Sequence, residues 1–495
     1  MGIVIKQSFK ILSITYFGMI IGLINTLWLY PLLLNEEQIG LVRILVNSSV
    51  LLTSFAALGA SQITIKYFPY FKDEKNNNNG FLTFIILLST VGFIFLLIVL
   101  FLSKQVIINI YASTSPLLIQ YLNFIPIIVF FVLFFSIFES YAVVNHKSVV
   151  VSFLKEFVFR LIILVGLYFL FINLILFSEF ILIIVIAYAL ILILLILFIY
   201  RNKILFIKSP ANIFKGKKLK EIIVFGLFVL MGNVAGSIMI NIDGLMLSAF
   251  EGLRSAGIYT IAYFVATIIE VPRRSLSQAI VPFVSNANKE NDFNKLKTIY
   301  KSSSINQLFV GGLIFILIWC NIDNIFKLIP NGDIYKEGKW VVFFLGLGKL
   351  FDLATGVNSE IVGTSKYYKY DLVFFILLGV LGIATNLYFI PKYGINGAAI
   401  ATALSIFLVN TVRYIFIYIT FKMQPFSFNT LTIVLILFIT NYFSTFIPTI
   451  SNLYLDIIIN SILLLLFYLT PLYFLKISPE INNTLISLFN RLKVR

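Results

Sequence analysis

The 495-residue sequence contains one cysteine, Cys320, and one histidine, His146. These counts exclude an internal disulfide framework and a metal site built from several cysteines or histidines. Charged residues make up only 12% of the chain, against about 25% in a typical soluble domain. With 60% hydrophobic residues and a mean hydropathy of +1.01, the composition predicts an integral membrane protein.

Fourteen apolar segments are long enough to cross a bilayer as helices. They are Ile11–Leu34, Ile39–Ala60, Gly80–Leu102, Leu118–Val143, Val149–Phe171, Phe180–Tyr200, Ile222–Phe250, Ala256–Val284, Ile305–Phe326, Trp340–Gly363, Leu372–Ile390, Ala398–Thr420, Phe428–Ile447 and Leu455–Phe474. The first is too long for a signal-peptide core, so we expect it to be retained. Because these runs do not alternate as barrel strands do, we predict an all-α, polytopic membrane protein with about 14 transmembrane helices.

The distribution of basic residues predicts the orientation. Of the 37 Lys and Arg residues, 24 fall on the side of the N-terminus and six on the opposite side, and the remainder lie within spans. Because cytoplasmic loops carry the excess of Lys and Arg, we expect both termini in the cytoplasm. The net charge of +16 is then explained by loops beside anionic lipid headgroups, and no nucleic-acid partner is expected.

Two segments share a pattern at an offset of 217 residues. NEEQIGLVRILVNSSVLL starts at Asn35 and EGLRSAGIYTIAYFVATII starts at Glu251, so that Gly40 aligns with Gly257. A third instance, KYGINGAAIATALS, starts at Lys392. Transporters are often built from such repeats. The predicted organisation is a six-helix lobe at 1–200, a basic cytoplasmic linker at 201–221, a second six-helix lobe at 222–420, and two additional helices with a cytoplasmic tail at 421–495.

Three motifs carry a family resemblance: AALGASQITIKYFPYF at 56–71, IDGLMLSAFEGLRSAGIYTIAYFVATII at 242–269, and YGINGAAIATALS in the twelfth span. In their order and spacing they resemble the Wzx-type oligosaccharide flippases of the multidrug/oligosaccharidyl-lipid/polysaccharide exporter superfamily. The resemblance implies two helical lobes around a central cavity. It also implies transport of undecaprenyl-pyrophosphate-linked oligosaccharides from the inner to the outer leaflet by alternating access.

The seventh span places a carboxylate inside an apolar run. At about 100° per residue, most of its polar and small residues fall on one face roughly 160° wide; they are Asn233, Gly236, Ser237, Asn241, Asp243, Gly244 and Ser248. Ile240 and Leu247 also fall on this face, so the polar stripe is imperfect. Lipid chains offer no hydrogen-bond partners to the polar groups of this face, so the face should contact water or protein. We keep two alternatives: a cavity-lining face, which the resemblance favours, and a helix–helix contact.

Charged residues in three other spans complete the candidate site. Arg43 and Asn47 share a face of the second span. Arg43 lies near the outer end, so it could equally be an interface arginine whose guanidinium group extends to the headgroups. Pro272, which should kink the eighth span, precedes Arg273 and Arg274. A guanidinium fork suits a pyrophosphate. Glu270 could instead pair with either arginine, and Lys349 with Asp352, as structural ion pairs. The proposed substrate-binding residues are Arg43, Asn47, Asn233, Asn241, Asp243, Arg273, Arg274 and Lys349. The proposed coupling or charge-pairing residues are Asp243, Glu270 and Asp352, with Glu139, Glu360 and Arg413 as secondary candidates.

The composition predicts a multi-pass membrane protein, and the resemblance implies a transporter of the bacterial cytoplasmic membrane for surface polysaccharide or O-antigen biosynthesis. We expect no catalytic residues, no metal and no cofactor, since the ionisable residues within the spans include no metal-ligand cluster. No GxxxxGK[ST] loop occurs, so we do not expect transport driven by the protein's own ATP hydrolysis. The expected partners are the polyprenyl-pyrophosphate-linked glycan and membrane lipids, and H⁺, Na⁺ and other polysaccharide-assembly membrane proteins stay open as partners. The alternatives are a peptidoglycan lipid-precursor flippase, a cation-coupled multidrug antiporter and, from another class, a membrane-embedded sugar polymerase or transferase.

Overall fold

The computed structural model describes residues 2–210, 213 and 218–478, and within them all side chains except those of residues 2–9, 12, 74, 75, 274, 275, 278 and 279. In this part of the chain, all regular secondary structure is helical. Part of the predicted basic linker, at 211, 212 and 214–217, and the tail at 479–495 lie outside the described residues. The chain divides into two compact units, Met1–Thr260 and Ile261–Arg495. The lobes at 1–200 and 222–420 follow the sequence repeat and stay a prediction.

The first unit consists of long helices joined by short turns. In order they are α1 (Gly2–Leu23), α2 (Tyr30–Leu33), α3 (Glu36–Ala56), α4 (Ala60–Phe71), α5 (Phe81–Tyr111), α6 (Pro116–Tyr121), α7 (Phe124–Val144), α8 (Ser148–Ser152), α9 (Phe159–Phe171), α10 (Phe177–Arg201), α11 (Leu219–Phe250) and the start of α12 (Leu253–Thr267). Short π-helical segments join α1 to α2 and α8 to α9.

The second unit takes in the end of α12 and the remaining helices. In order these are α13 (Val271–Glu290), α14 (Phe293–Cys320), α15 (Ile322–Leu328), α16 (Gly332–Tyr335), α17 (Lys339–Ala354), α18 (Asn358–Gly363), α19 (Tyr368–Phe421), α20 (Phe428–Ser444) and α21 (Leu453–Phe474). The 3₁₀ turn Ile268–Glu270 separates α12 from α13, and Pro272 lies in the first turn of α13. The α-helical hydrogen-bond pattern thus changes just before Pro272, and a bend of the chain at this proline stays a prediction.

Each of the fourteen predicted segments coincides with helical structure, and the predicted all-α membrane fold is confirmed. Among the described residues, ten helices are long and apolar enough to cross a membrane. The fifth and tenth predicted segments are interrupted, α20 has only 17 residues, and the eleventh and twelfth segments are joined in α19. The count of fourteen is consistent with this arrangement.

Two turns take the conformations that their glycines permit. Within α19, Gly394 has φ 54° and ψ −131°, which breaks the helix between the eleventh and twelfth predicted spans. After α3, Gly59 has φ +75°, and a methyl group on it would lie 2.6 Å from the backbone oxygen of Gly226 in α11. The second turn lies in the AALGASQ motif, and it brings the start of α4 against α11.

Candidate functional site

The polar face of α11 packs against α3 and α4 within the first unit. Asn233 and Gln62 exchange two amide hydrogen bonds of 3.1 and 3.3 Å. Ser237 forms a hydrogen bond with Ser54. A methyl group on Gly244 would lie 3.7 Å from Nδ2 of Asn47. These contacts follow the helix–helix alternative of the sequence analysis, and a cavity-lining role for the same face stays a prediction.

Asp243, the carboxylate in the seventh span, is only 4% exposed. It accepts a hydrogen bond of 2.6 Å from the hydroxyl group of Tyr259 in α12. Sequence reasoning missed Tyr259, although Asp243 and Tyr259 lie equally far from Glu251 at the turn between the two helices. In an antiparallel hairpin that spacing places two residues at the same depth, so the signal was present in the sequence.

The remaining first-unit candidates lie close to Asp243 along the chain or on α3. Asn241 is buried and donates to the backbone oxygen of Ser237 one turn earlier, at 2.8 Å. Asn47 is buried, and Arg43 is half-buried one turn before it on α3. Thus Asn47 and Gly244 bring α3 and α11 together near Asp243.

Gly40 of α3 and Gly257 of α12 form a reciprocal backbone contact. A methyl group on Gly40 would lie 2.9 Å from the carbonyl carbon of Leu253 and overlap its oxygen. A methyl group on Gly257 would lie 2.9 Å from the carbonyl carbon of Glu36 and overlap that oxygen. Both the two glycines and the two carbonyl residues are related by the 217-residue offset of the predicted repeat. The Gly40–Gly257 contact thus joins equivalent positions of the two repeats.

In the second unit, four charged side chains form two ion pairs between different helices. Lys349 of α17 pairs with Glu270, and Asp352 of α17 pairs with Arg273 of α13. The side chain of Lys349 is 10% exposed, and its ammonium group lies 5.7 Å from the ring centre of Tyr263. We call Glu270, Arg273, Lys349 and Asp352 the four-charge cluster.

These partners differ from the structural pairs weighed in the sequence analysis. There, Glu270 was paired with an arginine of its own span, and Lys349 with Asp352. In the structure each residue pairs with the other helix, because residues three apart share a helix face and the two charged faces meet. The side chain of Arg274 lies outside the described residues.

Buried amides and a third ion pair extend the cluster. Asn410 of α19 donates a 2.9 Å hydrogen bond to Asp352 and accepts one of 2.8 Å from Asn358. Arg413, one helical turn further on, binds Asp371 at 3.0 Å. Because Asn410 and Arg413 are both buried, the second unit carries a polar network through its interior.

The secondary candidate Glu139 lies elsewhere, in an exposed pair with Lys155 at 3.2 Å. Glu360, the other secondary candidate, has a buried carboxylate oxygen, Oε2, with no hydrogen-bond partner among the described residues. In the described part of the second unit, the carboxylates of Glu270, Asp352, Glu360 and Asp371 face the cations Arg273, Lys349 and Arg413. Any anion that binds these cations must therefore compete with carboxylates that neutralise them.

Comparison with known families identifies the chain's relatives. A family model described as "Polysaccharide biosynthesis protein" matches residues 4–288, and the MatE model matches residues 229–388. Capsular polysaccharide biosynthesis protein CapF of Staphylococcus aureus is 24% identical over 203 residues, 40% of this chain and 50% of CapF. An uncharacterized membrane protein of Methanocaldococcus jannaschii is 24% identical over 211 residues, 40% of this chain and 39% of that protein. The matches thus span half or less of these relatives.

Solved structures share the fold over much more of the chain. A lipid II flippase, MurJ, in an inward closed conformation has a TM-score of 0.75 at 16% identity and covers 98% of this chain and 99% of its own. An inward-facing multidrug resistance MATE transporter of the MOP superfamily has a TM-score of 0.66 at 13% identity, over 84% of this chain and 98% of its own. The fold is therefore that of MOP-superfamily transporters, and because the family model matches more than half of the sequence, the chain belongs to the polysaccharide biosynthesis protein family.

Proposed function

We propose that this protein moves an undecaprenyl-pyrophosphate-linked oligosaccharide from the inner to the outer leaflet of the bacterial cytoplasmic membrane, by alternating access, for surface polysaccharide assembly. Both termini would lie in the cytoplasm, as the distribution of Lys and Arg predicts. The family match supports a role in polysaccharide biosynthesis. The four-charge cluster is the observation that carries the choice of an anionic substrate.

The energetics of buried ions favour a functional cluster over a purely structural one. Removing a charge from water costs several kcal/mol, and apolar residues of the same size often give equal or greater stability than a buried ion pair. A membrane helix has still less reason to keep Arg273 and Lys349 for packing alone. A binding role explains why they are retained.

The chemistry of the cluster suits a pyrophosphate. Arg273 offers a planar fork for two phosphate oxygens, and Lys349 offers a compact ammonium charge. In the empty protein Asp352 and Glu270 neutralise these cations, and the pyrophosphate would replace both carboxylates. Each cation then keeps an anionic partner. Of the displaced carboxylates, Asp352 would keep its hydrogen bond from Asn410, and each could take up a proton from water.

In this proposal, the polar residues of the first unit serve the sugars and the charge balance. Asn47 and Asn241 are amides suited to hydroxyl groups. Asp243 would not hold phosphates, because it is itself an anion. We assign it to pairing with a cation in the empty state, with binding of sugar hydroxyls and coupling to H⁺ or Na⁺ as alternatives.

Export of an anion needs no bound cofactor, because the membrane potential can drive it. Each elementary charge that crosses 100 mV gains about 2.3 kcal/mol. A pyrophosphate with two negative charges would therefore gain about 4.6 kcal/mol on leaving an inside-negative cell. We accordingly propose a transporter without enzymatic activity.

A second candidate function is export of a peptidoglycan lipid precursor. It is favoured by the similarity of fold to a lipid II flippase over 98% of this chain. The pyrophosphate is common to both substrates and fits the four-charge cluster in either case. Only the identity of the attached glycan therefore distinguishes the two candidate functions. Cells that lack the protein should accumulate the lipid-linked glycan that it carries.

Exchanging the charges of one pair separates binding from structure. We compare the neutral pair Glu270→Gln/Lys349→Gln with the exchanged pair Glu270→Lys/Lys349→Glu in cells deleted for the native gene. The amount of surface glycan should fall about tenfold or more in both variants. Each variant removes the ammonium group of Lys349, which in this proposal binds the charged pyrophosphate.

The matched control is the exposed pair Glu139–Lys155. Its neutral variant, Glu139→Gln/Lys155→Gln, should retain activity within about twofold, because exposed pairs contribute little. Membrane abundance is measured for every variant. If the exchanged pair restored normal glycan production, the Glu270–Lys349 pair would be structural only, and the proposed head-group site would be wrong.

A further inference from the structure

An apolar cavity of about 530 Å³ lies within the first unit, between α5 and the packed helices α3 and α11, and none of the proposed substrate-binding residues lines it. Its inner wall is formed by Ile44 and Ser48 of α3 and Leu245 of α11. Leu100 and Phe101 of α5 form another wall. Because nearly all of its lining is hydrocarbon, the cavity suits an apolar ligand.

The outer wall of this cavity faces the region where membrane lipid would lie. Phe101 is 79% exposed and its neighbour Leu102 is 74% exposed, both on α5, which is long and apolar enough to span a membrane. Large apolar side chains exposed on such a helix lie against lipid chains. An empty apolar cavity there would lose the contacts that a hydrocarbon chain supplies.

One cation lies in the lining. Lys104 is exposed, and it makes no hydrogen bond or ion pair within the described part of the chain. The predicted third span, Gly80–Leu102, ends before Lys104 and would leave this lysine in an outer loop. In the structure α5 continues to Tyr111, so Lys104 lies on the helix, about 10 Å before its end. Its ammonium group can therefore reach the headgroup layer while its stem borders the cavity.

A further polar side chain belongs to the lining of the cavity. Asn123, just before α7, lines the cavity with an exposed amide. Together Asn123 and Lys104 offer N–H donors beside an apolar space. That combination is complementary to a lipid with a phosphate at one end and a hydrocarbon chain at the other.

We propose that this cavity binds one acyl chain of an anionic glycerophospholipid, with its phosphate group held by Lys104. The charge of Lys104 selects an anionic headgroup over a zwitterionic one. The bound chain fills the space beside Ile44 and Leu245, and so supports the packing of α3 against α11. This lipid site is independent of the transported glycan.

Brominated lipids provide the test, because bromine quenches tryptophan fluorescence at short range. The three native tryptophans are replaced by phenylalanine, and a single tryptophan is introduced as Leu100→Trp, in the cavity lining. Ile98→Trp is the matched control, since Ile98 lies at nearly the same depth, is 53% exposed and is not part of the lining. Each purified protein is reconstituted with brominated phosphatidylglycerol, brominated phosphatidylcholine or a brominated polyprenyl phosphate, in competition with the unlabelled lipids.

We expect the tryptophan at position 100 to show about a fivefold preference for phosphatidylglycerol over phosphatidylcholine, and the tryptophan at position 98 to show little preference. Lys104→Gln should remove the preference at position 100, and Lys104→Arg should keep it. Equal quenching by both phospholipids at position 100, or a preference that survives Lys104→Gln, would overturn the proposal. Stronger binding of the polyprenyl phosphate than of phosphatidylglycerol would also overturn it, since the cavity would then serve the transported lipid.

Discussion

Adding one methyl group at the Gly40–Gly257 contact tests whether α3 and α12 separate there during transport. In Gly40→Ala the new carbon would overlap the carbonyl oxygen of Leu253, and in Gly257→Ala that of Glu36. The helices would have to move apart by about 1 Å to restore ordinary contact. Either substitution should therefore destabilise the conformation that contains this contact.

The expected size follows from overpacking. An extra methyl group forced into a tight contact costs about 1–3 kcal/mol. If the contact opens in the other transport state, that state avoids this cost and becomes more stable relative to the present one by the same free energy. The equilibrium between the two states then shifts about 5- to 150-fold towards the open one. In the double variant the free-energy cost should be smaller than the sum of the two single costs, because both methyl groups disturb one contact.

Spin-label distances measure this shift directly. Labels are attached at Glu37→Cys and Glu251→Cys, two exposed positions at the predicted outer ends, in a Cys320→Ser background. Both alanine variants should populate longer distances than the parent protein and transport more slowly. Thermal stability in detergent is recorded alongside.

Gly236→Ala is the matched control, because a methyl group on Gly236 would have no neighbour within 4 Å. It should leave the distances unchanged and, through helix propensity, stabilise the protein by up to about 1 kcal/mol. If Gly40→Ala and Gly257→Ala gave the parent distances and full activity, the contact would not open during transport.

Four further predictions concern single residues. Asp243→Asn should fold normally but transport far more slowly, and Tyr259→Phe should weaken the protein by about 1.5–3 kcal/mol through loss of a hydrogen bond to a charged group; glycan transport and thermal unfolding of purified protein test the two. Normal rates in Asp243→Asn at all pH values and potentials would make Asp243 a packing residue. Cys320, half-buried with its sulfur 3.7 Å from an amide oxygen of Asn441, should react slowly with an impermeant thiol reagent from outside, and labelling only in inverted vesicles would reverse the predicted orientation. Arg273→Lys should retain part of the activity if charge alone matters and little if a two-oxygen fork is needed.

The membrane fold was predictable because hydrocarbon length dictates helix length. Every apolar run of spanning length became helical, and the break at Gly394 lies between two predicted spans. The ends of helices were less predictable. The third span was predicted to end at Leu102, yet α5 continues to Tyr111, since a lysine near a helix end can extend its ammonium group to the headgroups without leaving the helix.

The site was predictable only as far as one helix at a time allows. The spacing of three residues places Glu270 and Arg273 on one helix face, and Lys349 and Asp352 on another. No pattern within a single span shows which of these faces packs against which other span. The exchange of partners between helices therefore appeared only in the structure. Tyr259 differs, because the short turn at Glu251 fixes its depth relative to Asp243.

Transport of a lipid-linked glycan by the purified protein is the most direct test of the proposed function. The protein is reconstituted into liposomes with an undecaprenyl-pyrophosphate-linked oligosaccharide, and an impermeant glycan-modifying enzyme measures its arrival in the opposite leaflet at 0 and about 100 mV. We predict transfer that requires the protein, accelerates when the potential favours anion export, and is lost in Glu270→Gln/Lys349→Gln. Transfer no faster than in protein-free liposomes, or equal transfer by that variant, would contradict it.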